Sequence, residues 1–169
     1  MSIFKGEDMT DTFRPLRRQN RQISREECIE LLQKETRGVL SVNGDDGYPY
    51  GMPMNHVYDP SDGCIYFHTG KGGHRADALL RSDKVSFCVW EQGTREEGDW
   101  AYHVRSVIVF GHVEQITDMN EIIRVTTALS RKFPCNEDYI KHAIETYGKA
   151  TLLLRLTPAH MCGKRVTES

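Results

Sequence analysis

The sequence predicts a β-rich α+β domain in which an antiparallel sheet closes, or nearly closes, into a barrel with peripheral helices. Two observations carry this prediction. About six segments have the β-branched and aromatic content of strands, and short turns such as residues 44–47 join the early ones. The segments with helical periodicity are inserted among the strands without the regular alternation that builds a parallel sheet. A barrel is therefore favoured over a doubly wound parallel sheet.

Length and composition limit the domain count and the classes of function. The chain has 169 residues, 22 of them Lys or Arg and 24 Asp or Glu, with a net charge of −2. We predict one domain at residues 21–169 behind a polar N-terminal tail at residues 1–20. The charge balance argues against a nucleic-acid partner. Because no apolar run is long enough for a membrane span or a secretory signal, we expect a cytoplasmic protein without a membrane partner.

Helices are predicted at four places. The first covers residues 24–35, because Ser24 and Glu27 form a capping box before an apolar repeat. The second follows the glycines of residues 70–73, and the last begins at Asn136. The apolar faces expected on the second, third and fourth helices are Ala76, Leu79 and Leu80; Ile122, Val125 and Leu129; and Ile140, Ala143, Ile144 and Tyr147.

The predicted strands have distinct local signals. The Asp46-Gly47 step supplies the positive φ angles of a tight turn between the first two strands. Pro49 and Pro53 cannot donate ladder hydrogen bonds, so the second strand should be irregular or lie at a sheet edge. The fifth strand is apolar at both parities over residues 107–110, which predicts burial on both faces. The six strands are expected at residues 36–43, 48–58, 64–69, 84–90, 102–116 and 150–157.

The most informative local pattern is TGKGGHR at residues 69–75. A strand ends, glycines follow, and a helix begins beside Lys71, His74 and Arg75. Free amides at a helix N-terminus and cationic donors together form a good phosphate site. The pattern is neither a Walker A loop nor the Rossmann fingerprint. The alternative is an ordinary glycine-rich turn with solvated basic side chains.

A second pattern is YPYGMPMNH at residues 48–56. Its two prolines and one glycine leave backbone groups unpaired and available to a flat polar ligand. Met52 and Met54 offer soft apolar surface to an aromatic ring, although methionines packed in the core are the locally better interpretation.

The remaining reactive residue types form no motif. The seven histidines show no HExxH or zinc-finger spacing, and the five cysteines contain no CxxC pair. We therefore expect no metal and mostly buried cysteines. Since GxSxG is also absent, a cofactor that carries its own chemistry is the better hypothesis. A basic cluster in the tail fits a solvated arm or, alternatively, a contact with a phosphate or a partner: Arg14, Arg17, Arg18 and Arg21.

Taken together and in order, six segments resemble the 5-nitroimidazole resistance branch of the pyridoxamine 5′-phosphate oxidase-like superfamily. These segments are residues 38–42, 47–56, 65–69, 73–75, 84–88 and 106–111, and the resemblance spans roughly residues 17–157. It implies a six-stranded antiparallel split barrel of Greek-key type. It also implies a homodimer with a flavin at the interface, FMN being the expected cofactor and FAD the alternative.

The resemblance further implies roles for particular residues. The segment 52–56 would lie along the isoalloxazine ring, with its backbone against the ring edge. His68 would contribute to substrate binding or reduction, which makes it the candidate catalytic residue. The implied cofactor-binding residues are Met52, Pro53, Met54, Asn55, His56, His68 and Thr69, then Lys71, His74 and Arg75 at the phosphate, and Trp100, Tyr102 and Ser106 from the partner chain.

The implied function is that of a flavin-dependent oxidoreductase acting on a small molecule such as a nitroaromatic or nitroimidazole compound. NAD(P)H or another donor would supply the electrons. Residues 158–169 do not match the end of the pyridoxamine-phosphate oxidases, which argues against oxidation of pyridoxine phosphates. The alternatives are a flavin-binding module without turnover and a haem-binding or haem-degrading protein of the same superfamily.

Overall fold

The chain folds into a curled antiparallel sheet with helices around it. The computed structural model describes residues 13–134, 136–147 and 151–168, without the side chains of residues 143 and 147. Its strands are β1 (Arg37–Asn43), β2 (Pro49–Asn55), β3 (Val57–Asp59), β4 (Cys64–Thr69), β5 (Lys84–Trp90), β6 (Tyr102–Ile116) and β7 (Leu152–Glu168). Its α-helices are α1 (Arg25–Lys34), α2 (His74–Arg81), α3 (Met119–Ser130) and α4 (Glu137–Tyr147).

The order of the strands explains how the sheet curls. It runs β2-β1-β5-β6-β7-β4-β3, with every neighbouring pair antiparallel. The two edge strands, β2 and β3, are consecutive in the chain and are separated only by His56. The sheet must therefore bend round until its two edges meet at this residue, which encloses the core.

The predicted number of strands is wrong because one predicted strand is divided. Six strands were expected, and the described residues form seven, since segment 48–58 becomes β2 and β3. The division falls at His56, whose ring is fully buried. The backbone N–H of His56 donates to the Thr36 carbonyl at 3.3 Å. The edge position predicted from Pro49 and Pro53 is confirmed, since β2 pairs with β1 alone.

The last strand is longer than expected. It was predicted to end at Thr157, but β7 continues to Glu168 and pairs along the whole of β6. A bulge beside Gly111 takes up the interruption at Pro158. A Cβ at Gly111 would clash with the Thr157 carbonyl oxygen, so the close approach of the two strands requires glycine there.

The core lies inside the curl, and α1 closes it. Inward-facing side chains of β1, β5 and β6 include Leu40, Phe87 and Val107, which are fully buried. Leu31 and Leu32 of α1 pack into the same cluster. The predicted capping box is confirmed: the Glu27 N–H donates to Ser24 Oγ, and the Ser24 N–H to Glu27 Oε2. A smaller cluster under α3 contains Cys64, Tyr66, Ile116, Ile122, Val125 and Leu153.

Some expected apolar faces need correction. In α2, Ala78 and Leu79 pack against the core, whereas Leu80 is 88% exposed, because a short helix on β1 buries only one side. In β6, Val107 and Val109 are buried, but the opposite face is half-buried or exposed. Ile122, Val125, Leu129 and Ile140 are buried as predicted, while the side chains of Ala143 and Tyr147 lie outside the described part.

The burial of the cysteines and the lengths of the helices can be compared with the predictions from the sequence. Cys28 and Cys64 are buried, and Cys88 and Cys162 are half-buried; Cys135 lies outside the described residues. Among the described helices, none has the length and apolar character that crossing a membrane requires.

Candidate functional site

The loop before α2 combines an open backbone with cationic side chains. α2 begins after Gly73, which has a φ of 95°, and no side chain caps its first amides. A Cβ on Gly70, Gly72 or Gly73 would meet nothing within 4 Å, so there is free space in front of the loop. Uncapped N–H groups at a helix N-terminus attract an anion.

Two side chains of α2 are held against β2 and its turn. The His74 ring stacks on Tyr50 with centroids 4.2 Å apart, and its Nε2 lies 3.3 Å from Asp45 Oδ2. Arg75 Nη1 lies 3.5 Å from Met54 Sδ. The loop and the edge strand β2, which the family resemblance assigned to one site, are therefore neighbours in space.

Asp45 and Tyr50 were not identified from the sequence, although they orient His74. Asp45 also accepts from Arg81 at 2.7 Å, so its negative charge is shared between two basic groups. The turn of residues 45–47, recognisable from its Asp-Gly step, was the available signal for a carboxylate near the loop. Asp46 and Gly47 have the positive φ angles predicted for them, 55° and 78°.

The edge of β2 offers backbone groups to a ligand. Pro49 and Pro53 have no N–H to donate to β1. At these positions of β2, the hydrogen-bonding side of the backbone therefore faces away from β1, towards the free edge of the sheet. Because hydrogen-bonding direction alternates along an antiparallel strand, the N–H and C=O of Gly51 point to the same free side.

The side chains of β2 divide between core and surface. Met52 and Met54 are buried in the core, as the local interpretation predicted, and Asn55 is half-buried. Pro53 is exposed on the outer face of the sheet. Any contact between this strand and a flat ligand therefore uses its backbone and Pro53, and not the methionine side chains.

His56 is a core residue. Its Nε2 lies 2.9 Å from the Leu32 carbonyl; because a carbonyl only accepts, Nε2 carries the proton, and Nδ1 has no partner among the described residues. Burial, together with the charge of Lys132, lowers the pKa of His56 to about 3. Lys132 Nζ donates to Leu32 O and Glu35 O at 3.2 and 2.5 Å, which caps the C-terminus of α1. The His56 ring is therefore unavailable to a ligand.

His68 and Thr69 end β4 just before the glycine loop. They pair with Leu153 and Leu152 of β7. The His68 side chain is exposed, yet the protein around part of the ring desolvates it and lowers its pKa. A neutral imidazole at neutral pH can both donate and accept a hydrogen bond.

The outer face of the sheet is continuous across five strands. One row of paired residues runs from Pro53 through Val39, Cys88 and Ile108 to Cys162, and the next contains Trp90, Ser106 and Lys164. Side chains in the middle of this face are small, and Trp90 beside them is 51% exposed. A groove of about 520 Å³ opens between Pro53, Val39 and Trp90.

The three residues assigned to the partner chain lie near this outer face. Trp100 and Tyr102 are exposed, and Ser106 is half-buried in β6. Arg95 lies over the Tyr102 ring at 5.5 Å. Among the described residues, no group of His, Cys, Asp and Glu side chains has a geometry that could hold a metal ion.

Comparisons with known proteins agree with this fold. The family model for pyridoxamine 5′-phosphate oxidase matches residues 24–165. Among curated proteins, none matches the chain.

Several solved structures share the fold at low sequence identity. A protein from Bacteroides thetaiotaomicron, provisionally assigned to 5-nitroimidazole antibiotic resistance, is 20% identical with a TM-score of 0.68, over 86% of this chain and 87% of that one. A FAD-binding protein from Mesorhizobium loti is 21% identical with a TM-score of 0.67, over 86% and 97%. A conserved hypothetical protein from Mycobacterium tuberculosis is 20% identical with a TM-score of 0.74, over 89% and 90%.

Proposed function

The chain belongs to the pyridoxamine 5′-phosphate oxidase family, and on this premise we propose that it binds FMN and acts as a flavin-dependent oxidoreductase. The observation that carries the proposal is the contact between the start of α2 and the edge strand β2. This contact puts an anion-attracting backbone and two basic side chains beside a free strand edge. A flavin mononucleotide has both a phosphate and a flat polar ring, and this pair of features matches it.

The residues at the start of α2 fit the phosphate. The uncapped amides of α2, with His74, Arg75 and Lys71, supply the donors. The absence of side chains at Gly70, Gly72 and Gly73 leaves the room that a phosphate needs. Asp45 would repel an anion, but its pairing with Arg81 offsets part of that charge.

The edge of β2 fits the ring system. The outward N–H and C=O of Gly51, with the backbone of residues 52–56, can hydrogen-bond to the ring edge. Pro53 and Val39 provide an apolar surface beside it. His68 and Thr69 lie at the end of β4, where they can reach the sugar-like chain between ring and phosphate. FAD is the alternative cofactor, as in the Mesorhizobium loti relative.

When bound, the flavin supplies electron transfer, and this chain supplies position and access. Backbone donors on β2 hold the ring in place. The neutral His68 side chain carries one N–H, at Nδ1 or Nε2, and can donate a hydrogen bond from it to a substrate oxygen. The groove of about 520 Å³ beside Pro53 and Trp90 has room for one small aromatic molecule, so a nitroaromatic or nitroimidazole compound is the proposed substrate class.

A second copy of the chain completes the proposed site. The outer sheet face carries aromatic residues that are exposed in the single chain, among them Trp90 at 51% and Phe110 at 36%. Exposed apolar faces of this kind are typical of protein interfaces. Pairing of two such faces would bring Trp100, Tyr102 and Ser106 to the partner's ring and would exclude water from it.

The visible spectrum of the purified protein tests the cofactor. We expect flavin absorbance, or its appearance when FMN is added; protein that stays colourless with added FMN contradicts the proposal, and a Soret band would favour the haem-binding alternative. Reduction of a nitroimidazole with NAD(P)H then separates an enzyme from a flavin-binding module. Size-exclusion chromatography with light scattering reports the dimer.

A further inference from the structure

A basic groove lies beside β7, on the opposite side of β6 from the edge strand β2 of the proposed flavin site. It is formed by residues 13–22, which we call the arm, where they run along β7. Its volume is about 330 Å³. Its lining residues are Leu16, Arg17, Arg18, Arg21, Lys164 and Val166.

The cations of this groove are not neutralised by its walls. Its lining has four basic residues and no acidic one. Within the described ranges, neither the arm arginines nor Lys164 takes part in an ion pair. Glu27 lies in the pocket on the other side of Arg21, but its oxygens already accept from Ser24 N at 2.9 Å and Arg165 Nη2 at 2.8 Å. Four like charges gathered round one space favour an anion between them.

The arm is anchored at both ends, so the groove is a defined shape. At its start, the Phe13 ring stacks on His160 with centroids 4.7 Å apart and the planes at 9°. At its end, Gln22 forms a bridge with Lys164, and the Ile23 N–H donates to Gly163 O at 3.1 Å. In between, the Arg21 N–H donates to Arg18 O at 3.0 Å in a 3₁₀ turn.

The groove adjoins the outer sheet face through Lys164. This residue pairs with Ser106 in the ladder between β6 and β7, and Ser106 pairs with Trp90 of β5. Lys164 is close enough to Cys88 and Cys162 for its positive charge to favour their thiolates, against the burial that raises the pKa of both thiols. An anion bound by Lys164 would therefore sit beside the face on which the proposed redox chemistry takes place.

We propose that the arm groove binds the pyrophosphate group of a nucleotide ligand. A pyrophosphate carries two to three charges, which four cations can neutralise, and Leu16 and Val166 give apolar contacts for the attached sugar. A groove volume of about 330 Å³ suits a single small ligand, and the net charge of −2 disfavours a nucleic acid. This inference goes beyond the proposed function, because it concerns a second anion site with different residues.

Calorimetric titration with inorganic pyrophosphate tests the groove. The protein is first saturated with FMN so that the α2 loop is occupied, and the titration is repeated in the His74→Ala/Arg75→Ala variant. We expect Arg17→Ala/Arg18→Ala to weaken pyrophosphate binding about 10- to 100-fold. The control is Lys34→Ala/Lys141→Ala, which removes the same charge from exposed sites on α1 and α4 and should change the affinity less than about twofold.

Two further measurements identify the nucleotide. If it is the electron donor, Arg17→Ala/Arg18→Ala raises the KM for NAD(P)H and leaves kcat unchanged. If it is the adenylate half of FAD, the same variant weakens FAD binding and leaves FMN binding unchanged. Each result supports the groove and assigns its ligand to one source.

The proposal is overturned if the arm variant and the control variant bind pyrophosphate equally well. It is also overturned if pyrophosphate binding disappears in His74→Ala/Arg75→Ala, because the anion then belongs to the α2 loop. Flavin absorbance is measured separately, so a failure to bind flavin can be distinguished from a failure of the arm groove to bind pyrophosphate.

Discussion

The residue between the edge strands β2 and β3, His56, which we call the joint, and the loop before α2 are two regions of the same predicted site that use basic residues in opposite ways. His56 is fully buried, and its imidazole is kept neutral by desolvation and by the nearby Lys132. His74 and Arg75 stand at the surface with open space in front of their loop. The first region holds the two sheet edges together, and the second faces solvent, where a ligand can arrive.

This difference shows that a contiguous motif can carry two roles. Residues 52–56 alternate in and out of the core, so their side chains stabilise the fold while their backbone remains at a free edge. The loop residues bury almost nothing and contribute little to stability. Changes at the joint should therefore act on folding, and changes at the loop should act on binding.

The largest expected effect is acid destabilisation through His56. The pKa of His56 is about 3 in the folded protein, compared with an ordinary value of 6.5 in the unfolded chain. Between pH 6.5 and pH 3 the unfolded chain therefore binds a proton at this residue and the folded chain does not. The free energy of unfolding should therefore be constant above pH 6.5 and fall towards pH 3, by about 5 kcal/mol at most. Urea unfolding at pH 7.5, 6 and 5 measures this before most carboxylates titrate.

The matched variants for this titration are His56→Gln and His68→Gln. The slope between pH 6.5 and 5 should flatten strongly in the first and less in the second, because desolvation lowers the pKa of the exposed His68 ring less than that of the buried His56 ring. Equal slopes in the wild type and His56→Gln would contradict a buried, neutral His56.

The second prediction concerns the loop. His74→Ala/Arg75→Ala should weaken FMN binding by roughly 2–4 kcal/mol, because charge-assisted contacts to a phosphate are strong. Its melting temperature should stay close to that of the wild type, since both side chains lie outside the core. Flavin fluorescence titration measures the affinity, and Lys34→Ala/Lys141→Ala, which removes two charges from exposed sites on α1 and α4, is the control. Unchanged affinity would move the phosphate elsewhere.

The third prediction is the counterpart at the joint. His56→Gln should lower the free energy of unfolding by about 2 kcal/mol. The glutamine amide can still donate to Leu32 O, but it loses the edge-on contact that the His56 ring makes with Phe87 at a centroid distance of 4.9 Å. The FMN affinity of the folded fraction should be unaltered. A loss of affinity at full folding would show that the ring acts on the ligand after all.

The smallest effect is expected at the loop backbone. Gly73→Ala should cost about 1 kcal/mol of stability, because its φ of 95° disfavours a side chain even where space is free. Gly72→Ala, which has equal space and no positive φ, should be neutral in thermal unfolding. If both substitutions are neutral, α2 starts with a different backbone geometry.

Local signals explain what could be predicted from the sequence. The capping box at Ser24, the Asp46-Gly47 turn and the cap at Asn136 each depend on residues within four positions of one another, and the structure has all three. The cationic loop before α2 was predictable for the same reason. Its position beside β2 was expected only from the resemblance.

Features set by distant strands could not be predicted. The division at His56 depends on the carbonyls of Thr36 and Leu32, and the extension of β7 depends on its pairing with the full length of β6. Similarly, the support that Asp45 and Tyr50 give to His74 joins a hairpin to a helix across 24 or more residues of chain. Spacing within one segment holds no information on such contacts.

The place of β7 in the sheet has a consequence for synthesis on the ribosome. β7 comes after the other six described strands in the chain, yet it lies between β6 and β4 and is the strand through which the β3–β4 hairpin joins the rest of the sheet. Until residue 152 and those after it emerge, that hairpin has an unpaired edge and no partner for closing the curl. We therefore expect folding to be completed late, and a chain that stalls before β7 to present exposed strand edges to chaperones or to other nascent chains.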